Sequence, residues 1–222
     1  MQKNYLAMRI LNLYSGIGGN RKLWGDDHEV TAVEYDGATA EVYKHYFPND
    51  NVIISDAHEY LLKHYKEYDF IWGSPPCPTH SQLRRCGVHS GLYDAVYPEM
   101  SLYQEILLLK YFHRIGTKWV VENVNPYYEP LIPITKKLGR HFYWSNFPIG
   151  NFKIDDSCTL LKIKPNDTVY GFSVANSNIK NKAKALRNMV NPKAGKFILD
   201  CALGVMQKAN VNQIDMFEKI SI

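Results

Sequence analysis

A cysteine behind two prolines is the most reactive arrangement in the chain. In residues 69–81 (DFIWGSPPCPTHS) an apolar run ends at Gly73-Ser74, and Cys77 follows Pro75 and Pro76. Proline fixes φ, so the loop is stiff and holds the thiol in place, and a thiolate is a strong nucleophile once formed. Polar, proline-rich surroundings argue against the buried structural role that a lone cysteine usually has. A second apolar run, 118–122 (KWVVE), ends in Glu122, followed by Asn123 and Val124. If the two runs are neighbouring strands, the Glu122 carboxylate faces the same crevice as Cys77; otherwise it is a helix-cap or ion-pair residue.

Three further strand ends carry polar groups suited to a nucleotide-like ligand. The first run leads into Tyr14-Ser15-Gly16-Ile17-Gly18-Gly19, where glycines permit a tight turn that brings amide groups close to a ligand or simply make a structural turn. About twenty residues on, the second run ends in Glu34-Tyr35-Asp36, and an acid at that position of a mononucleotide-binding unit accepts hydrogen bonds from both ribose hydroxyls. The third ends in Ser55-Asp56; it could contact an adenine amino group, but alone Asp56 reads more naturally as a helix N-cap.

Short apolar runs at 9–14, 29–34, 51–54, 68–72 and 118–122 read as strands buried on both faces. Helical spacing falls between them, at 37–47, 57–65 and 99–115; in the last, Leu102, Ile106, Leu109 and Phe112 recur at three- and four-residue intervals. Alternation of this kind implies a mostly parallel, doubly wound α/β sheet, which binds ligands at the carboxyl ends of its strands. Beyond Pro148 the chain turns polar and Asn-rich before a last helix expected over 192–208, opened by Pro192. The expected organisation is a catalytic and cofactor core at 1–149, a reduced segment at 150–185 too small for its own core, and a completing segment at 186–222.

With 222 residues and a net charge of +4, the composition is that of one globular domain that permits a polyanionic partner without demanding one. No apolar run approaches a membrane span and the N-terminus lacks a cleavage pattern, so the expectation is a soluble, cytoplasmic protein with no membrane partner. Cys77, Cys86, Cys158 and Cys201 form no C-x-x-C pair, so neither a metal site nor a disulfide framework is expected.

In order, NLYSGIGG, EYD, SD, GSPPC, ENV, GRHFYWSN and RNMV resemble the motifs of the cytosine-5 DNA methyltransferases, across residues 9–204. The GRHFYWSNFPI segment and the compact size look like a small bacteriophage-type branch of that family. The resemblance implies a Rossmann-like S-adenosylmethionine-dependent methyltransferase fold with helices on both faces of the sheet. Its implied catalytic residues are Cys77, adding to C6 of a flipped cytosine, Glu122, contacting N3 and the amino group, and Arg140 of the arginine motif. For S-adenosylmethionine, and its product S-adenosylhomocysteine, it implies Tyr14, Ser15, Gly16 and Gly18 at the methionine end. Glu34 would hold the ribose, with Tyr35, Asp56 and Ala57 around the adenine, then Pro76, Leu102, and Asn188 with Val190 closing the site. Ser81, Arg84, Arg85 and Asn123 are the expected substrate contacts.

The chain departs from the family pattern at Asn12, where Asp is usual, at Pro78, where Gln is usual, at His141, where a second arginine is usual, and at Arg187 before Asn188, where Gly is usual. A recognition segment of 150–185 presents few side chains to base edges. The reading is therefore methylation of DNA at C5 of cytosine with short or relaxed specificity, DNA being the partner and a homodimer or specificity partner supplying any further recognition. Two alternatives stand beside it: cytosine-5 methylation of RNA or a free nucleotide, and a catalytically silent, DNA-binding or regulatory homologue.

Overall fold

The computed structural model describes residues 7–154 and 162–205. Seven strands form one sheet in the order β3-β2-β1-β4-β5-β7-β6. They are β1 (Arg9–Leu13), β2 (Glu29–Glu34), β3 (Asn51–Ile54), β4 (Phe70–Gly73), β5 (Lys118–Val124), β6 (Lys136–Leu138) and β7 (His141–Ser145). The first five run parallel; β7 is antiparallel to both β5 and β6. The chain order reverses beside β1, so a crevice opens at the carboxyl ends of β1 and β4.

Strand alternation sends side chains to two cores. Ile10, Val30, Phe70, Trp72 and Val120 pack with Ile198 and Leu199 of α6 (Pro192–Ala202) on one face. Leu11, Leu13, Ile71 and Val121 pack on the other with Leu61 of α2 (Ala57–His64) and with Ile106 and Leu109 of α4 (Ser101–Phe112). Helices thus cover both faces, and α1 (Gly37–Tyr46) follows β2. Side-chain caps start three of these helices: Asp36 accepts from Thr39 N, Asp56 from Glu59 N and Asn191 from Lys193 N.

Several expectations need correction. β3 is an edge strand with Asn51 and Ile54 exposed, so it is not buried on both faces. The helix expected at 99–115 spans only Ser101–Phe112, and the last helix stops at Ala202, where Gly204 at φ 68° ends it in a left-handed turn. Cys158 and Lys208 lie outside the described residues. Among the elements not foreseen are α3 (Gln82–His89), the two strands of the β6–β7 hairpin, a second hairpin of β8 (Thr168–Val169) and β9 (Phe172–Ser173), and α5 (Lys182–Arg187). In the reduced segment, Ile163, Val169, Phe172, Val174 and Ile179 bury against Ile17, Val42, Leu186 and Met189.

Candidate active site

Every strand-end motif lies on one rim of the sheet. Tyr14 to Gly18 follow β1, Glu34 ends β2, Asp56 follows β3, Cys77 follows β4, and Glu122 with Asn123 closes β5. The β6–β7 turn returns to this rim, because His141 pairs with Val124 in the antiparallel register. Arg140 therefore arrives beside Asn125, whose N donates to its carbonyl at 2.9 Å, and its Nη2 donates to the Arg187 carbonyl at 3.3 Å, tying the turn to α5.

Cys77 is half-buried and its carbonyl accepts from His80 N at 3.0 Å and Ser81 N at 3.2 Å, which turns the proline-rich loop into α3. Burial pushes its thiol above the ordinary value and the Glu122 charge adds to the rise, while Arg140 and Lys184 pull it down. Glu122 is buried; its Oε2 accepts from Ser74 Oγ at 2.8 Å, and that hydroxyl accepts from Trp72 Nε1 at 2.8 Å. His141 Nε2 lies 3.6 Å from Glu122 Oε1, so the histidine found where a second arginine was expected faces the carboxylate.

Asn123, expected as a substrate contact, already has a partner within the protein. It is buried and its amide donates to Pro75 O at 3.0 Å, fastening the end of β5 to the loop that carries Cys77. Ser81 caps α3 through Arg84 N at 3.2 Å. Arg84 and Arg85, expected to face phosphates, lie over tyrosine rings: Arg84 is 5.3 Å from the Tyr93 centroid, and Arg85 is 5.2 Å from that of Tyr127 and donates to its carbonyl.

The part of the rim expected to meet a cofactor is built around Glu34. Its Oε2 accepts from Gly16 N at 2.9 Å and its Oε1 from Asp36 N at 3.0 Å, while burial raises its pKa. Gly16 has φ 55° with open space where a Cβ would point; Tyr14 shares the left-handed conformation at φ 54°. Gly18 and Gly19 are required by packing. A Cβ on Gly18 would lie 2.2 Å from the Phe47 ring, and one on Gly19 would lie 2.5 Å from Val190 O. Val190 thus sits against the glycine turn, with Asn188 exposed at the end of α5. Tyr35 is exposed, Ala57 and Leu102 are buried, Pro76 is exposed, and Asp56 spends one oxygen on its cap.

Sequence reading missed Glu105. Only 1% exposed, it accepts from Tyr14 Oη, and its Oε1 lies 3.0 Å from His58 Nδ1, which joins the segments after β1 and β3 to α4. Burial raises its pKa, opposed by the hydrogen bonds from Tyr14 and His58. His80 was missed as well; it is buried, and its Nδ1 lies 2.6 Å from Tyr128 Oη. Glu105 stands three residues after Leu102 on the helical spacing, so the stripe itself offered it as core-facing. Asn12, placed where the family has Asp, is fully buried and exchanges hydrogen bonds with Asn20 at 2.7 and 3.4 Å. A neutral amide pair there avoids burying an uncompensated charge.

The fold is a Rossmann-like, mostly parallel α/β sheet, whose rim is where such sheets take a nucleotide-like ligand such as S-adenosylmethionine. Its residues fit such a ligand, since Ser15 Oγ is buried without a partner and Gly16 leaves open space beside the Glu34 carboxylate. Residues 8–97 match the family described as C-5 cytosine-specific DNA methylase. Curated relatives include the tRNA (cytosine(38)-C(5))-methyltransferases of Rattus norvegicus, 32% identical over 34% of this chain and 21% of that protein, and of Spodoptera frugiperda, 38% identical over 32% and 24%. The matched part thus spans only about a fifth to a quarter of those relatives. Among solved structures, the putative methyltransferase yhhF from Escherichia coli is 18% identical with a TM-score of 0.40, covering 62% of this chain and 74% of that one. A Spodoptera frugiperda DNMT2 variant is 26% identical with a TM-score of 0.36, covering 54% and 36%. Residues 8–97 are thus similar to the cytosine-5 methylases, and the rest of the chain lies outside that match.

Among the described residues no group of His, Cys, Asp and Glu is arranged to hold a metal ion, and no helix is long and apolar enough to cross a membrane.

Proposed function

We propose that the chain is a DNA (cytosine-5)-methyltransferase in which Cys77 is the nucleophile. The observation that carries the reading is the common rim: the Cys77 thiol feels the charges of Glu122, Arg140 and Lys184 together. In the proposed step the Cys77 thiolate forms a bond to C6 of a cytosine swung out of its stack, and the ring electrons move toward C5. Glu122 meets N3 and the exocyclic amine, stabilising the charge redistributed in the ring. Arg140 and Lys184 pull toward the thiolate against burial and the Glu122 charge, which together hold the thiol above its ordinary value. S-adenosylmethionine supplies the methyl group to C5 when bound. Loss of the C5 proton to a base then returns the electrons, and the thiolate leaves.

For the cofactor, Ser15, Gly16 and Gly18 with Tyr14 would surround the methionine end beside Pro76 and Leu102. Glu34 would take the ribose, Tyr35, Asp56 and Ala57 the adenine, and Asn188 with Val190 would close the turn. Glu34→Ala should weaken S-adenosylmethionine binding by about tenfold to a hundredfold, the scale for hydrogen bonds to a charged group. Titration calorimetry reads this directly, and unchanged affinity rejects the ribose role.

Cytosine-5 methylation of RNA is the second reading, favoured by the relatives that act on cytosine 38 of tRNA. The intact Cys77 and Glu122 count against a silent homologue. Transfer of a labelled methyl group to duplex DNA, single-stranded DNA, RNA and dCMP separates these readings. Label in DNA at C5 supports the first, label confined to RNA replaces it with the second, and no label in any substrate by cofactor-bound protein overturns both.

A further inference from the structure

Residues 82–100, α3 and the turn after it, leave the sheet rim beside Cys77 and return to it. The two ends are fastened together, since Glu99 N donates to Thr79 Oγ1 at 2.9 Å. Within the excursion the Tyr93 ring lies on Gly87, where a Cβ would come within 2.3 Å of it, and Leu92 N donates to Gly87 O at 2.8 Å. The excursion is therefore built, yet much of its apolar surface is open: Leu83 is 66% exposed, Leu92 73% and Tyr97 95%, with Val96 and Met100 also exposed. Open apolar side chains gathered on one excursion mark a binding surface.

Planar groups on α3 and the Tyr127–Tyr128 pair link this excursion to the loop of the nucleophile. The Arg84 guanidinium lies over Tyr93, and that of Arg85 over Tyr127. Tyr127 meets Tyr128 edge-on at 5.1 Å, Tyr128 Oη contacts His80 Nδ1, and His80 N donates to the Cys77 carbonyl. Asp94 and Glu99 are the acids of the excursion, and Glu99 Oε1 is taken by Ser101 N.

We propose that the exposed rings of residues 82–100, Tyr97 foremost, form a stacking platform for unpaired bases flanking the target, so that the preferred substrate is a single-stranded or looped nucleic acid. A duplex covers its base faces and offers only groove edges and phosphates. An unpaired strand presents flat faces to tyrosine, while the arginines add cation–π and phosphate contacts. The inference rests on Cys77 being the nucleophile toward cytosine.

The test is fluorescence anisotropy with oligonucleotides of about 12 nucleotides, the span of a typical single-strand site, each with one cytosine, as single-stranded DNA, single-stranded RNA and duplex DNA. Wild type should bind the single strands more tightly than the duplex. Tyr97→Ala should lose on the order of tenfold in single-strand affinity, the scale of one base–aromatic stack, with Tyr97→Trp retaining it and duplex binding unmoved. Equal loss on all three ligands, unchanged single-strand affinity, or tighter duplex binding by wild type overturns the platform. So does a wild-type dimer that Tyr97→Ala converts to monomer without changing single-strand binding. The same strands carrying 5-fluorocytosine report the chemistry separately. Missing capture at Cys77 with Tyr97-dependent binding intact rejects the nucleophile and keeps the platform, whereas capture with Tyr97-independent binding does the reverse.

Discussion

Cys77→Ser should lose methyl transfer by at least about a thousandfold, the scale seen when a covalent nucleophile is removed, while cofactor affinity stays unchanged. A serine hydroxyl in the same stiff loop keeps the shape but ionises far less readily than a thiol. The environment adds a second readout. Burial and the Glu122 charge hold the Cys77 thiol above its ordinary range, against the pull of Arg140 and Lys184. The free protein therefore carries mostly the neutral thiol near neutrality, and alkylation of Cys77 by iodoacetamide should accelerate as pH rises through and beyond the ordinary thiol range. Arg140→Ala should move that acceleration to still higher pH. Peptide mapping is needed to separate Cys77 from Cys86 and Cys201, and Cys86→Ala, on the exposed surface of α3, should leave transfer nearly unchanged. A serine variant that methylates at a near-normal rate removes Cys77 from the mechanism.

Glu122→Gln should slow methyl transfer by about a hundredfold to a thousandfold, the cost of losing one group aimed at developing charge. Glutamine keeps an oxygen for the Ser74 hydroxyl, so the loss reports the charge and the altered contact with the base more than a collapsed loop. The same substitution removes the nearby negative charge that raises the Cys77 thiol. Alkylation of Cys77 near neutral pH should therefore become faster as transfer becomes slower. General unfolding would give the same two signs by exposing the thiol, so unchanged S-adenosylmethionine affinity in the variant is the readout that assigns them to the lost charge. If both rates stay at wild-type levels, Glu122 neither contacts the base nor tunes the nucleophile.

The central strands were legible because burial on two faces leaves a nearly continuous apolar run, and the polar residue that ends each run marks the rim. That rule put Tyr14, Glu34, Asp56, Cys77 and Glu122 at the strand ends where the structure has them. It misjudged β3, whose edge position leaves Ile54 exposed while keeping an apolar sequence. The sequence of α3, QLRRCGVH, has too few apolar residues to form a stripe, and its cap at Ser81 looks like any serine in a polar loop. The β6–β7 hairpin is short and turns on Gly139 at φ 56°, so its strands carry little periodic signal. Long-range polar partnerships were the least legible. Nothing local in the sequence says that Asn123 bonds the Pro75 carbonyl, or that Glu105 joins Tyr14 to His58, because each pair meets only after the sheet is assembled.

Mass spectrometry of the protein incubated with S-adenosylmethionine and a 5-fluorocytosine oligonucleotide tests the central claim most directly, because fluorine at C5 cannot leave as a proton and the enzyme stays attached to the base. Wild type should gain the mass of the methylated oligonucleotide on the peptide containing Cys77, and Cys77→Ser should gain none. Attachment at Cys86 or Cys201, or methyl transfer to the unfluorinated strand with no covalent species trapped on the fluorinated one, would contradict the account.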